Sequence, residues 1–214
     1  MKTVYDQFAL GLELSHRALD RNLVRFGELA ARGAPAPANL GPFLALFAEF
    51  LEVHHAGEDR FLFPALRRET AGRSTDAAHL ARWDGEHVEI RRLARELERL
   101  AEHVELAALG RCSQALRDVL GPHTRDEEAV LTASHLPEMI PERELAVTLQ
   151  DIQKANRSRA LAMASFLASS LEPAEQHALM GDSPWLFRRV ILPWVGARKM
   201  KPFRDLVHTQ EIAP

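Results

Sequence analysis

The 214-residue chain sets 27 lysines and arginines against 30 aspartates and glutamates, a formal charge of −3, with 46% hydrophobic and 27% charged residues. That is the make-up of an ordinary globular domain, with or without an appendage, and it lacks the basic excess of a nucleic-acid-binding surface. The single cysteine, Cys112, excludes an intramolecular disulfide and fits a reducing interior, and its apolar helical neighbours suggest a packed thiol. Asp6 and Glu13 fall where a secretory signal needs an unbroken apolar core. No apolar run approaches the roughly 20 residues that span a bilayer. The expectation is a cytoplasmic protein with neither a membrane nor a nucleic acid as partner.

Alanine, leucine, glutamate and arginine dominate and strand signals are nearly absent, so the chain reads as all-α. A first helix is expected from about Thr3 to Ala31, with Tyr5, Phe8, Leu12, Leu19, Leu23 and Phe26 on one face and His16 filling the gap between Leu12 and Leu19. Gly33, Pro35 and Pro37 break it, and Asn39 is placed to cap the next helix. The second helix covers about Leu40 to Glu69, with Pro64 placed to bend it. Ser74 or Thr75 is placed to cap a third helix over about Asp76 to Glu102. Gly85 lies inside that helix just before His87, as a close backbone approach near a site would require. A fourth helix covers about Leu109 to Ser134, with Pro122 as a kink.

After Leu136-Pro137 the character changes. A fifth helix is expected from Glu142 to about Leu171, then short helices over about Ala174–Met180 and Ser183–Val195. The residues from about Lys199 read as extended or weakly ordered. The organisation expected is an up-down four-helix bundle over residues 1–136. Residues 137–214 form a helical extension that packs on the bundle or makes an interface.

The chemistry lies in His54 with Glu58 and His123 with Glu127. In each pair the two side chains stand four apart, so both project from one face of a helix. His16 and His87 add one histidine on each remaining bundle helix. A lone histidine on an apolar face is usually a hydrogen-bonded core residue. Six ionisable side chains in one core carry a desolvation cost that a metal removes. Imidazole with carboxylate suits iron, zinc, manganese or copper and disfavours calcium. Six donors exceed what one tetrahedral ion needs and suit a pair of ions bridged by Glu58 and Glu127.

The order His16, then His54-His55-Ala56-Gly57-Glu58, then His87, then His123-Thr124-Arg125-Asp126-Glu127-Glu128 resembles the hemerythrin-like proteins of the HHE cation-binding type. The continuation Asp59-Arg60-Phe61-Leu62-Phe63-Pro64 is similar to the acidic-then-LFP stretch common in that family, and the resemblance covers about residues 5–135. It implies a non-haem centre of two iron ions joined by an oxo or hydroxo bridge, with zinc or manganese as alternative metals. Carried over residue by residue, His16 and His54 bind one iron, His87 and His123 bind the other, and Glu58 and Glu127 bridge them.

Oxygen-carrying hemerythrins have a second histidine on the third helix, four residues from the first. Here those positions hold Trp83 and Arg91. The departure leaves a ligand place open and turns the expectation from oxygen transport to binding, sensing or reducing a small oxidant: oxygen, hydrogen peroxide or nitric oxide. The alternative is a metal-dependent sensor or interaction module without turnover. Its C-terminal helices, with Trp185-Leu186-Phe187 and Ile191 to Val195, would contact a partner or a second copy. Other histidines fit less well. His55 lies about 100° around the helix from His54, which turns it toward a neighbouring helix or solvent. His79 lies too far along its helix, and His103, His135, His177 and His208 lack a matching carboxylate. Glu86 and Glu128 read as members of surface pairs.

Overall fold

Thr3 opens the first helix with a reciprocal cap. Its side-chain oxygen accepts from the Asp6 backbone N–H at 3.1 Å, and the Asp6 carboxylate accepts from the Thr3 backbone N–H at 2.8 Å. This satisfies donors that a first turn otherwise leaves free. α1 runs Val4–Arg32 and stops at Gly33, whose φ of 61° is left-handed. The structure, a computed structural model, describes residues 2–33, 35–180 and 197–207.

α2 (Leu40–Gly57), a π-helical turn (Glu58–Leu62) and α3 (Phe63–Glu69) follow one another without a gap. The π turn stands directly before Pro64. Proline has no N–H to give the Arg60 carbonyl and its ring crowds that carbonyl, so the wider turn absorbs the misfit. Phe63 accordingly donates its N–H five residues back, to the Glu58 carbonyl. α4 (Ser74–Glu102) and α5 (Leu106–Val130) complete the long helices, and α5 carries Pro122 within it. Then come α6 (Leu136–Met139), α7 (Glu142–Ala155), α8 (Ala160–Ser170), α9 (Pro173–Met180), α10 (Ala197–Met200), a 3-10 turn (Lys201–Phe203) and α11 (Arg204–Val207). Among the described residues there is no strand, and no helix is long and apolar enough to cross a membrane.

Several local expectations are corrected. Asn39 stands at the start of α2 without a side-chain cap; its Nδ2 donates instead to the Pro202 carbonyl at 2.7 Å. α4 begins at Ser74 itself, and Arg73 holds the cap position with no side-chain bond. The single fifth helix is two, parted at 156–159, where the Asn156 backbone and side-chain N–H groups both return to the Ile152 carbonyl. Residues 197–207 are helical, and Met200 and Leu206 are buried; residues 208–214 lie outside the described residues. The helix expected over Ser183–Val195 lies outside the described residues.

α1 packs along α5, α2 along α4, and α4 along α5. Two large apolar clusters result, with a smaller one of Leu14, Ala18 and Leu171 beside them. One holds Leu19, Phe26, Phe47, Leu51, Ile90 and Leu120; the other holds Leu12, Leu62, Phe63, Trp83 and Leu131. On every long helix the motif histidine falls between them: His16 between Leu12 and Leu19, His54 between Leu51 and Leu62, His87 between Trp83 and Ile90, His123 between Leu120 and Leu131. The polar side chains thus form a layer across the interior. α8 joins the first cluster through Phe166, which meets Phe43, Phe47 and Phe50 at ring distances of 5.8, 6.3 and 4.9 Å.

Two glycines respond oppositely to a methyl group. A Cβ at Gly41 would run into the Ala101 carbonyl oxygen, so α2 and the end of α4 touch there backbone to backbone. A Cβ at Gly85 would meet nothing within 4 Å, so no close approach explains that glycine. Gly85→Ala is therefore expected to stabilise the fold by about 1 kcal/mol. Gly41→Ala should cost about 1–3 kcal/mol. Urea midpoints of the two variants should move in opposite directions; movement in the same direction contradicts this packing.

α9 is tied to α1 by charge. Glu175 accepts from Arg17 at 2.9 Å and pairs with Arg21. Arg21, the Glu172 backbone N–H and Arg17 together outweigh partial burial and hold the Glu175 carboxyl down to about 2. A carboxyl lowered on folding stabilises above its unfolded value, here about 4.5, and loses that contribution as pH falls toward 2. Because both arginines are partly exposed, the contribution is about 1 kcal/mol or less. Hydrogen exchange in α9 should quicken as pH falls from about 4.5 to about 2 once corrected for intrinsic rates, and Glu175→Gln should remove that dependence.

Candidate metal centre

The helices bring all six expected side chains into one buried cavity. His16 (α1), His54 (α2), Glu58 (the π turn), His87 (α4), and His123 and Glu127 (α5) meet there. His16 Nε2 lies 3.1 Å from His54 Nε2, and His87 Nε2 lies 3.0 Å from His123 Nε2. Glu58 reaches both pairs, with Oε1 3.3 Å from His54 Nε2 and Oε2 3.7 Å from His87 Nε2. Glu127 Oε2 also reaches both, at 3.4 Å from His16 Nε2 and 3.4 Å from His123 Nε2.

His55 is a seventh member. It is 1% exposed, its Nδ1 donates to the Leu51 carbonyl at 3.0 Å, and its Nε2 has no hydrogen-bond partner. Ligand atoms of His55, His87 and His123 lie within 4.8 Å of one another, as do those of His16, His54 and Glu58, and of Glu58, His87 and Glu127. Helical spacing turned His55 away from His54 but left open what it turns toward. α2 touches both α1 and α4, so His54 faces His16 on one side while the His55 ring sits 4.3 Å from that of His87 on the other. His55, from α2, thus lies beside His87, where α4 offers no second histidine.

The outer edges of the rings are also spoken for. Glu128 accepts from His16 Nδ1 at 2.8 Å, Asp59 from His87 Nδ1 at 2.7 Å and Glu86 from His123 Nδ1 at 2.7 Å. Glu86 and Glu128, expected in surface pairs, are instead about a third exposed and turned onto these histidines. Asp59 in turn pairs with Arg91. Ring nitrogens whose other side binds metal characteristically donate to carboxylates or backbone carbonyls in this way.

That arrangement decides whether a metal fits. An ionised carboxylate or a carbonyl only accepts, so Nδ1 carries the proton in His16, His55, His87 and His123. In a neutral ring, Nε2 is then a lone pair. The His87 and His123 lone pairs face each other at 3.0 Å with no proton to share. Both carboxylate oxygens of Glu58 and both of Glu127 are buried without a hydrogen-bond partner. Facing lone pairs and partnerless carboxylates are unfavourable in a buried place unless protons or cations fill it.

The titration behaviour follows the same logic. Burial, reinforced by neighbouring histidines, drives His54 and His55 well below the usual histidine value. Burial, with Glu127 and Asp59 adding to it, drives Glu58 well above the carboxylate range. Burial also lowers His123 against the pull of Glu127 and Glu86, whereas at His16 burial is outweighed by the nearby Glu127 and Glu128 carboxylates, which raise it. Partial burial works to raise Asp59, but His87 and Arg91 prevail and hold it low.

The family model described as Hemerythrin HHE cation binding domain matches residues 11–133, more than half of the chain. The chain belongs to this family. No curated protein and no solved structure matched it. The matched residues run from within α1 to just past α5 and include every member of the cavity, from His16 to Glu128. Other candidates fall outside the cavity. His79 pairs with Asp126 at 3.2 Å and His135 with Glu138 at 3.5 Å. His208 lies outside the described residues. Cys112 is packed against the Leu93 carbonyl, and burial pushes its thiol up to about 11, so it is no nucleophile.

Proposed function

We propose that this hemerythrin-like protein, as an up-and-down bundle, holds two iron ions and binds, senses or reduces a small oxidant: oxygen, hydrogen peroxide or nitric oxide. The observation that carries the reading is the facing pair of His87 and His123 nitrogens beside the partnerless Glu58 and Glu127 carboxylates, buried groups that call for cations. His16 and His54 would hold one ion and His55, His87 and His123 the other. Glu58 and Glu127 would bridge, since each reaches histidines of both sets.

Iron in a histidine and carboxylate cage supplies a ferrous–ferric exchange and a place for a diatomic ligand. The chain's own residues set where that place is. With His55 added, the His87 side has three imidazoles, while the His16 side has two. Two histidines with a carboxylate is the set that leaves positions open, so the reactive side moves to His16 and His54. A cleft of about 620 Å³ between α1 and α5 reaches His16 and Glu128, with Leu23, Leu120 and Thr124 in its walls. It is the natural approach for a small molecule. Glu128, Asp59 and Glu86 fix the ring orientations and raise the basicity of the inward nitrogens.

The test is anaerobic loading with ferrous iron, then exposure to oxygen, peroxide and nitric oxide in turn. A visible absorption change with at least one of them is expected, weakened in His16→Ala. An iron-loaded chain that answers none and consumes no peroxide contradicts the reading. A response without peroxide consumption would favour sensing over turnover. Tight retention of zinc or manganese in place of iron would reassign the metal.

A further inference from the structure

We propose that Trp83 relays single electrons between the protein surface and the metal centre. The proposal rests on the reading of the cavity as a redox-active centre. Its ground is a continuous series of ring contacts leading out of the cavity. Phe63 stacks on His87 with centroids 5.3 Å apart and planes 22° apart. Trp83 lies 5.6 Å beyond Phe63, tilted by 33°. His79 lies 5.7 Å beyond Trp83 and is partly exposed. The series therefore runs His87, Phe63, Trp83, His79, from the buried histidine to the surface.

Packing explains why large rings fill this part of the core; it does not explain what the indole touches. Trp83 and Phe63 are both fully buried. Trp83 gives its Nε1–H to the Asp126 carboxylate at 2.7 Å. A carboxylate in contact with the indole stabilises positive charge on that ring, and does so more strongly in a buried place than in water. Asp126 is itself held by Arg82 and His79, so its orientation is fixed. Indole is, with phenol, the side-chain ring most readily oxidised by one electron. The chain's one tyrosine, Tyr5, is engaged elsewhere, donating to the Ile140 carbonyl at 2.9 Å.

The step balances as follows. With the centre already oxidised by hydrogen peroxide, which takes two electrons and two protons and leaves as two waters, one electron leaves the Trp83 π system through Phe63 and His87, and the centre regains one electron. The indole remains as a radical cation whose proton stays on Nε1, hydrogen-bonded to the Asp126 carboxylate. A one-electron donor of the ascorbate or ferredoxin class, arriving beside His79, returns one electron and restores the indole. No covalent bond forms or breaks, and the net transfer is one electron from donor to centre.

The test uses the full chain, Trp83→Phe and Phe63→Leu. Metal analysis comes first: all three should carry equal iron, and a wild-type chain that takes up none overturns the metal reading together with this one. Loaded protein is then oxidised with peroxide without a donor, freeze-quenched and examined by electron paramagnetic resonance. An indole radical is expected in the wild type and absent in Trp83→Phe. In stopped flow with ascorbate, re-reduction should slow several-fold in both variants. Iron-loaded Trp83→Phe that is re-reduced at the wild-type rate, or that keeps the radical, overturns the relay and leaves the metal reading intact. If Trp83→Phe does not fold, Phe63→Leu decides by the same rate.

Discussion

Glu58→Ala is expected to take the chain from about two bound iron ions to one or none, because a bridged pair needs a carboxylate that touches both ions. Glu58 is placed for this, with one oxygen toward His54 and the other toward His87. Glu127 spans His16 and His123 in the same way, so Glu127→Ala should lose metal comparably. The metal-free protein should behave oppositely. Its buried Glu58 has no hydrogen-bond partner and burial pushes its carboxyl well up, so the native side chain costs stability when no cation is present. Replacing it should leave the apo fold as stable as wild type or more stable. Metal loading should stabilise the wild type by about 2.7 kcal/mol per site at a free concentration one hundred times Kd, seen as a higher melting temperature, and stabilise the variant much less. Metal content by elemental analysis and thermal melts with and without chelator check both halves. A Glu58→Ala chain that retains the wild-type iron content contradicts the bridging role.

Phe166→Ala should cost about 3–5 kcal/mol, the usual loss for truncating a buried phenylalanine. Phe166 is fully buried and meets three phenylalanines of α2, so α8 completes the first apolar cluster rather than lying beside it. The loss should appear as a lower urea midpoint and a lower yield of folded protein. A cost below about 1 kcal/mol would mean that α8 is dispensable to the core. The same packing bears on the reading of the C-terminal helices as an interaction module. Phe166, Met200 and Leu206 are already spent on the chain's own core, so a partner would have to use other surfaces.

The four long helices were legible because their apolar residues recur at helical spacing and because Gly33, Pro35, Pro37 and Gly72 punctuate them. Four of the six donors were legible as i, i+4 pairs on one helix face, and His16 and His87 as single histidines on the apolar faces of the other two helices. What escaped depends on contacts between helices. His55 was missed because a helical wheel gives its angle from His54 but not the presence of α4 on that side. Asp59, Glu86 and Glu128 were missed as partners of the histidines because each is met by a histidine of another helix, which spacing within one helix does not reveal. The signal was present in one respect: each of the three adjoins a motif residue, Glu58, His87 or Glu127. The break at 156–159 has a local cue in Asn156 and Ser158, residues that compete with the helix for backbone partners. The helical ending at Ala197–Val207 has none as clear, since it is held by burial of Met200 and Leu206 against the bundle.

The central claim is that seven side chains hold a pair of iron ions. The most direct measurement is X-ray absorption at the iron edge on protein loaded anaerobically, with iron content determined on the same sample. The expected result is about two iron ions per chain, an iron–iron scattering contribution, and a histidine signal that falls in both His55→Ala and His16→Ala. One iron per chain with no iron–iron contribution, or a histidine signal unchanged in His55→Ala, would contradict it.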